Sequence, residues 1–141
     1  LKTIQFYGYL GALPFILFTI APWLSSDFSE ISLKAISFYG GVIISFLGGT
    51  AWGWAPNSLA NIRFGIACTF INLAIIFFVF EDFLIALVIC FLAFPLFLYY
   101  ETKNNSSFKN DSEYAEMRRI LTLLVTICYF ICLAFVFNPY T

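Results

Sequence analysis

The sequence predicts an all-α membrane protein, with five transmembrane helices in a compact bundle, its N-terminus inside and its C-terminus outside. Three observations carry this expectation. Of 141 residues, 62% are hydrophobic and only 11% charged, and the mean hydropathy is +0.92. An ordinary soluble domain is about 45–50% apolar and about 25% charged. The apolar residues fall into five uncharged runs, each close to the roughly 20 residues that a helix needs to cross a bilayer. Finally, the basic residues between the runs gather on one side. This composition excludes a water-soluble globule, a disordered tail and a basic nucleic-acid binder.

The first run, residues 4–24, follows a thin basic start at Lys2 and ends in Pro22-Trp23-Leu24. That ending is a poor small-residue cleavage site, so a retained helix is expected instead of a signal peptide. The second run is 35–54. The third and fourth, 64–80 and 83–100, are joined only by Glu81-Asp82, which requires a tight antiparallel hairpin. Two acids at a membrane surface fit a hydrated turn better than proton or cation handling, since ionisable groups signal function mainly within the membrane. The fifth run is 120–137. Together the spans take 94 residues of a single polytopic domain, 1–141. Continuous apolarity, without alternation at every second residue, argues against a β-barrel.

An odd number of spans puts the termini on opposite sides. One side then carries Lys2, Arg63, Lys103, Lys109, Arg118 and Arg119, and the other only Lys34, while the acidic residues divide equally. The positive-inside rule places the N-terminus in the cytoplasm or the mitochondrial matrix. On that side the connector 101–119 holds eight of the fifteen charges. Its first half, 102–108, reads as polar and irregular. Asn110 followed by Glu113 resembles a helix N-cap with an acidic N3 residue, predicting a helix from near Asp111 into the last span. Arg118 and Arg119 at its membrane entrance are expected to snorkel toward lipid phosphates of the inner face. The sequons at Asn104 and Asn105 would face the inner side and stay unglycosylated. Trp23, Trp52, Trp54, Tyr99, Tyr100 and Tyr140 fall at span ends, as an interfacial aromatic belt requires.

The chain has no histidine, which excludes Ser–His or Cys–His catalysis and a histidine pH switch. Cys68, Cys90, Cys128 and Cys132 all lie in apolar runs, where small buried side chains are the default reading. Cys128 and Cys132 share a helix face and in principle could hold a metal, but no metal or cofactor is expected.

Five of eight glycines lie within Gly40–Gly53. Ser37, Gly41, Ser45, Gly49 and Gly53 form a small-residue stripe at a spacing of four, with Gly40 and Gly48 on an adjacent line. Lipid gives helices no hydrophobic drive to associate, so close approach over small residues does that work. The second helix is therefore the expected packing centre, against this chain or a partner. A glycine-lined path or a flexible break is the functional alternative. Gly8, Gly11 and Ala12 give the first span a shorter small face. Pro14 and Pro95 each free a backbone carbonyl and can kink a helix. Asn72, midway along the third span, is expected to hydrogen-bond a neighbouring helix.

The segments Tyr7-Gly-Tyr-Leu-Gly-Ala-Leu-Pro-Phe15, Tyr39-Gly-Gly, Ser45-Phe-Leu-Gly-Gly-Thr-Ala-Trp-Gly53 and Arg118-Arg-Ile-Leu-Thr122 resemble, in order, the transmembrane protein 69 family. This is a domain of unknown function in bacterial membranes and mitochondria. Ala51 stands where a His or Arg often precedes the tryptophan. The resemblance implies a small multi-spanning protein of the bacterial or mitochondrial inner membrane, and no established activity.

The expected function is therefore a non-enzymatic inner-membrane protein, an accessory or assembly subunit packing against other membrane subunits. The alternative is a small homo-oligomeric transporter or channel, with Asn72, Pro95, Glu81 and Asp82 as its candidate residues. A membrane enzyme ranks third, because Glu101, Asp111, Glu113 and Glu116 match no catalytic spacing. The expected partners are the lipid bilayer and a membrane protein or a second copy, with no nucleic acid.

Overall fold

A computed structural model describes residues 2–55 and 58–137, and every element in them is helical. Helix α1 (Lys2–Leu24) leads through a 3-10 turn (Ser26–Phe28) into α2 (Ser29–Thr50), which a second 3-10 turn (Ala51–Gly53) closes. Then come α3 (Leu59–Glu81), α4 (Phe83–Asn104), the short α5 (Ser106–Asn110) and α6 (Ser112–Phe137). The five long helices are each apolar and long enough to cross a bilayer, which marks an integral membrane protein. Helices α1 and α4 continue through Pro14, Pro22 and Pro95.

The local signals explain the boundaries. Ser58 caps α3 by accepting from the Asn61 amide, and Asp82 caps α4 by accepting from the Leu84 amide. Side-chain oxygens at these positions satisfy amides that the first helical turn leaves unpaired. The connector after α4 is more ordered than its polar composition suggests. Helix α4 runs on to Asn104, and α5 occupies most of the stretch expected to be irregular. Asn105 caps α5 and Asp111 caps α6, so α6 starts one residue beyond the expected Asp111 and runs without a break through the fifth span.

The helices close a ring in the order α1, α2, α3, α4, α6, with α2 and α4 also touching across it. Both sit against three long neighbours, so α4 shares the central position expected of α2 alone. Ile36 and Ile44 of α2, Ile75 of α3, Leu87 and Cys90 of α4 and Tyr129 of α6 are fully enclosed there. Tyr129 donates its hydroxyl to the Ile36 carbonyl at 2.7 Å, and Tyr39 of α2 donates to the Gly11 carbonyl of α1 at 2.8 Å.

The glycine stripe is divided between the interior and the surface. A side-chain carbon on Gly40 would fall on the Tyr129 hydroxyl, and one on Gly41 would fall on the Asn72 amide oxygen. Gly48 of α2 and Gly65 of α3 face each other so closely that neither has room for a side chain. Gly49 and Gly53, by contrast, have nothing within 4 Å of that position, and both are exposed. Packing within the chain therefore uses Gly40 and Gly48, the adjacent line, together with Gly41, and not the whole line from Ser37 to Gly53.

Candidate functional site

The polar chemistry of the molecule converges where α4, α5 and α6 meet. Glu101 immediately follows the apolar run of α4, and only 1% of it is exposed. Its Oε1 accepts from the Arg118 Nε at 2.8 Å, closing an ion pair between α4 and α6. Its Oε2 accepts from Asn105 Nδ2 at 3.0 Å and from the Tyr114 hydroxyl. Two helical repeats build this arrangement. Glu101 and Asn105 are four apart around the end of α4, and Tyr114 and Arg118 are four apart on the facing side of α6. Asn105 acts twice, since its Oδ1 accepts the Ser107 amide while its Nδ2 donates to Glu101.

Taking two charges out of water costs several kcal/mol for each ion, and a buried pair persists only with good geometry and further hydrogen bonds. Glu101 meets that condition with three donors. Arg118 meets it only in part. Its guanidinium lies over the Phe97 ring, with 5.7 Å from its central carbon to the ring centroid, and 93% of the residue is buried because only 7% is exposed. Its Nη2 is enclosed without a hydrogen-bond partner, and so is the Thr122 hydroxyl one turn further along α6.

Arg118 and Thr122 also line a cavity of about 370 Å³ between α1, α2 and α6. Its lining is mainly apolar, with Phe15, Phe94, Leu121 and Val125 among it, and its polar side chains include Thr50, Tyr114, Arg118 and Thr122. The volume falls in the range of about 300–1,000 Å³ typical of small-molecule sites, and an apolar wall with a few placed polar groups is their usual lining.

The residues singled out in the sequence are scattered. Arg118 does not snorkel: Glu101 lies within hydrogen-bond reach, and the pair draws the guanidinium into the bundle. Arg119 is exposed and lies over the Phe108 ring at 4.8 Å. Asn72 packs on Gly41, but its Oδ1 is buried without a hydrogen-bond partner, so the expected interhelical bond is not made through that oxygen. The absence of a Gly41 side chain leaves the amide facing a backbone CH₂ there instead of a donor. Gly8 lies against the Met117 sulfur, Gly11 beside the Tyr39 hydroxyl, and Ser45 is half-buried with its hydroxyl unpartnered. Glu81, Asp82 and Pro95 are exposed and none of them lines the cavity.

Among the aromatic residues expected at the interfaces, Trp52 and Tyr99 are exposed, and Trp23 is exposed while meeting Phe135 edge-on. Trp54 and Tyr100 turn inward, where Tyr100 stacks on Phe64 at 3.8 Å and donates to Asn61 at 2.8 Å. Tyr140 lies outside the described residues. All four cysteines are buried and free, and Cys132 donates to the Thr19 hydroxyl of α1 at 3.8 Å. Among the described residues, no group of three or more His, Cys, Asp or Glu converges as a metal site would require.

Glu101, Asn105, Tyr114 and Thr122 were not legible as a site from composition. The usable signal was the pair of i, i+4 polar couples on either side of a short connector. No curated protein and no solved structure matches the chain. The family model of a protein of unknown function, DUF3429, matches residues 1–134, and the chain belongs to that family.

Proposed function

We propose that this protein is a non-enzymatic accessory or assembly subunit of the bacterial or mitochondrial inner membrane, packing against other membrane subunits. The observation that carries this reading is the division of the glycine stripe. Gly49 and Gly53 have open space where a side chain would stand, although Gly40, Gly41 and Gly48 on α2 are tightly engaged. Small residues left open on a lipid-facing surface suit close approach by a further helix. The resemblance of the Ser45–Gly53 block to the transmembrane protein 69 family, and the gathering of basic residues on one side, support the inner-membrane placement with the N-terminus inside.

The test compares wild type with Gly49→Leu after gentle detergent extraction, by pull-down and mass spectrometry. Gly49→Leu should leave the purified chain folded, with melting within about 0.5 kcal/mol of wild type, as an exposed substitution does. It should at the same time release the co-purifying membrane subunits. Recovery of wild type alone, under conditions that preserve known membrane complexes, would overturn the proposal.

A second reading, a small homo-oligomeric transporter or channel, draws on the cavity beside Arg118. Its earlier candidates do not support it, because Glu81, Asp82 and Pro95 lie away from that cavity and Asn72 is spent on the α2–α3 contact. Flux through reconstituted vesicles that Asn72→Leu leaves unchanged but an Arg118 substitution stops would favour this reading in its revised form.

A further inference from the structure

We infer that the cavity between α1, α2 and α6 is a binding site for an anionic amphiphile, a single apolar chain ending in a carboxylate or phosphate oxyanion. Three features of the site converge on that class.

The first is an unmet demand for an acceptor. Arg118 Nη2 and the Thr122 hydroxyl are both buried without a partner, and both belong to residues of the cavity wall, one helical turn apart on α6. A guanidinium nitrogen can only donate, and the hydroxyl beside it can donate as well. Leaving such groups buried and unpaired costs about 1–3 kcal/mol each, and more for a charged one. Both atoms are shielded from the cavity as the side chains stand, and a ligand oxygen reaches them once a side-chain rotation turns them to it.

The second is the sense of the charge. Arg118 lines the cavity and Glu101 does not. The Glu101 carboxylate stands behind the guanidinium and is shared with Asn105 and Tyr114. Of the two partners, a ligand in the cavity therefore has only the cationic residue in the wall around it. Guanidinium also matches carboxylate and phosphate oxygens in geometry, and charged hydrogen bonds are roughly twice as strong as neutral ones.

The third is the apolar lining. Beyond Arg118 the lining on α6 runs on through Leu121, Thr122 and Val125, with Phe15 and Phe94 from other helices, and holds no further charged residue. Such a wall accepts a hydrocarbon chain and rejects a free inorganic anion, which would gain nothing from it. The site thus reads both ends of an amphiphile. This inference stands apart from the accessory-subunit reading, which rests on Gly49 and Gly53, neither of which lines the cavity.

The test uses the full chain, purified and delipidated in a neutral detergent, with native mass spectrometry and thermal melting as readouts. The probes are palmitate, 1-palmitoyl lysophosphatidate, methyl palmitate, hexadecanol and inorganic phosphate. Palmitate, lysophosphatidate or both should bind one to one, at least about tenfold tighter than methyl palmitate or hexadecanol, as a charged hydrogen bond implies. Preference for palmitate would identify a free fatty acid as the source, and preference for lysophosphatidate a membrane phospholipid. Equal binding of the uncharged probes would overturn the proposal, and so would binding of inorganic phosphate as tight as that of either amphiphile.

Gly11→Leu locates the site. A Cβ there meets only the Tyr39 hydroxyl, at 4.0 Å, and Gly11 lines the cavity on α1, outside the Glu101–Arg118 pair that joins α4 and α6. The variant should melt like wild type without probe and lose the probe-induced rise in melting temperature. Retained binding in a folded Gly11→Leu would overturn the location. Should that variant fail to fold, Thr122→Val, which keeps Arg118 and Glu101 paired, should weaken palmitate binding severalfold, and unchanged affinity would overturn it equally.

Discussion

The α3–α4 hairpin and the α4–α5–α6 turn both follow an apolar run with a carboxylate, yet they use their carboxylates in opposite ways. At the hairpin, Glu81 and Asp82 are exposed, and Asp82 does no more than cap the helix that follows. At the other turn, Glu101 is enclosed and joins α4 to α6 through Arg118 and Tyr114. The difference lies in what the chain offers within reach. Nothing basic lies near the hairpin in sequence. Around Glu101 a connector of the right length returns Tyr114 and Arg118 to the same level, and Asn105 closes the remaining side. A carboxylate at the end of an apolar run is therefore a turn marker or a structural centre according to its partners, and its position alone does not decide which.

The largest expected effect comes from breaking the buried pair. Glu101→Leu leaves Arg118 charged and enclosed, and should destabilise the folded state by about 3–5 kcal/mol. Denaturation in mixed micelles measures it. The double variant Glu101→Leu with Arg118→Leu should recover much of that loss, because no uncompensated charge remains. A double variant as unstable as the single one would show that the pair holds the turn by something other than charge compensation. Next in size is Tyr114→Phe, which removes one donor to Glu101 and should cost about 1.5–3 kcal/mol, the range for a hydrogen bond to a charged group. The smallest effect belongs to the hairpin. Asp82→Ala removes only the cap on α4 and should cost about 1 kcal/mol in the same assay. If Asp82→Ala matched Glu101→Leu, the contrast between the two turns would collapse.

The division of the glycine stripe sharpens the same lesson at another scale. Spacing in the sequence placed Gly41, Ser45, Gly49 and Gly53 on one line of the second helix; α2 carries that line as far as Gly49, and Gly53 falls in the 3-10 turn that follows. What spacing leaves open is where neighbours stand along the line. The Gly48–Gly65 contact brings α2 and α3 together on the adjacent line, and the Tyr129 hydroxyl claims Gly40 from across the bundle. Both facts depend on residues far away in the chain. The five long helices, in contrast, were legible because each is announced by its own uninterrupted apolar run.

The connector between the fourth and fifth spans shows the limit from the other direction. Its charged and amide residues read as a solvated loop because polar composition is the ordinary mark of one. Asn105 and Asp111 instead act as successive caps, folding the segment into helix, turn and helix. Capping was visible at Asn110 and Glu113 only to within a residue. Burial of Glu101 was not visible at all, since an acid at a span end is normally hydrated. Its signal lay in pairs four residues apart, Glu101 with Asn105 and Tyr114 with Arg118, which a reading of net composition averages away.

The ion pair also bears on the order in which the bundle is assembled. Glu101 and Arg118 are 17 residues apart, whereas Tyr129 and Ile36, which tie α6 to α2, are 93 apart. Closing the longer loop costs about 1.5 kcal/mol more in chain entropy. Local contacts of this kind form sooner than distant ones. The α4–α6 corner is thus the natural nucleus of the C-terminal half: it can close as soon as the start of α6 leaves the ribosome, and the ring is completed afterwards as α6 settles against α1 and α2.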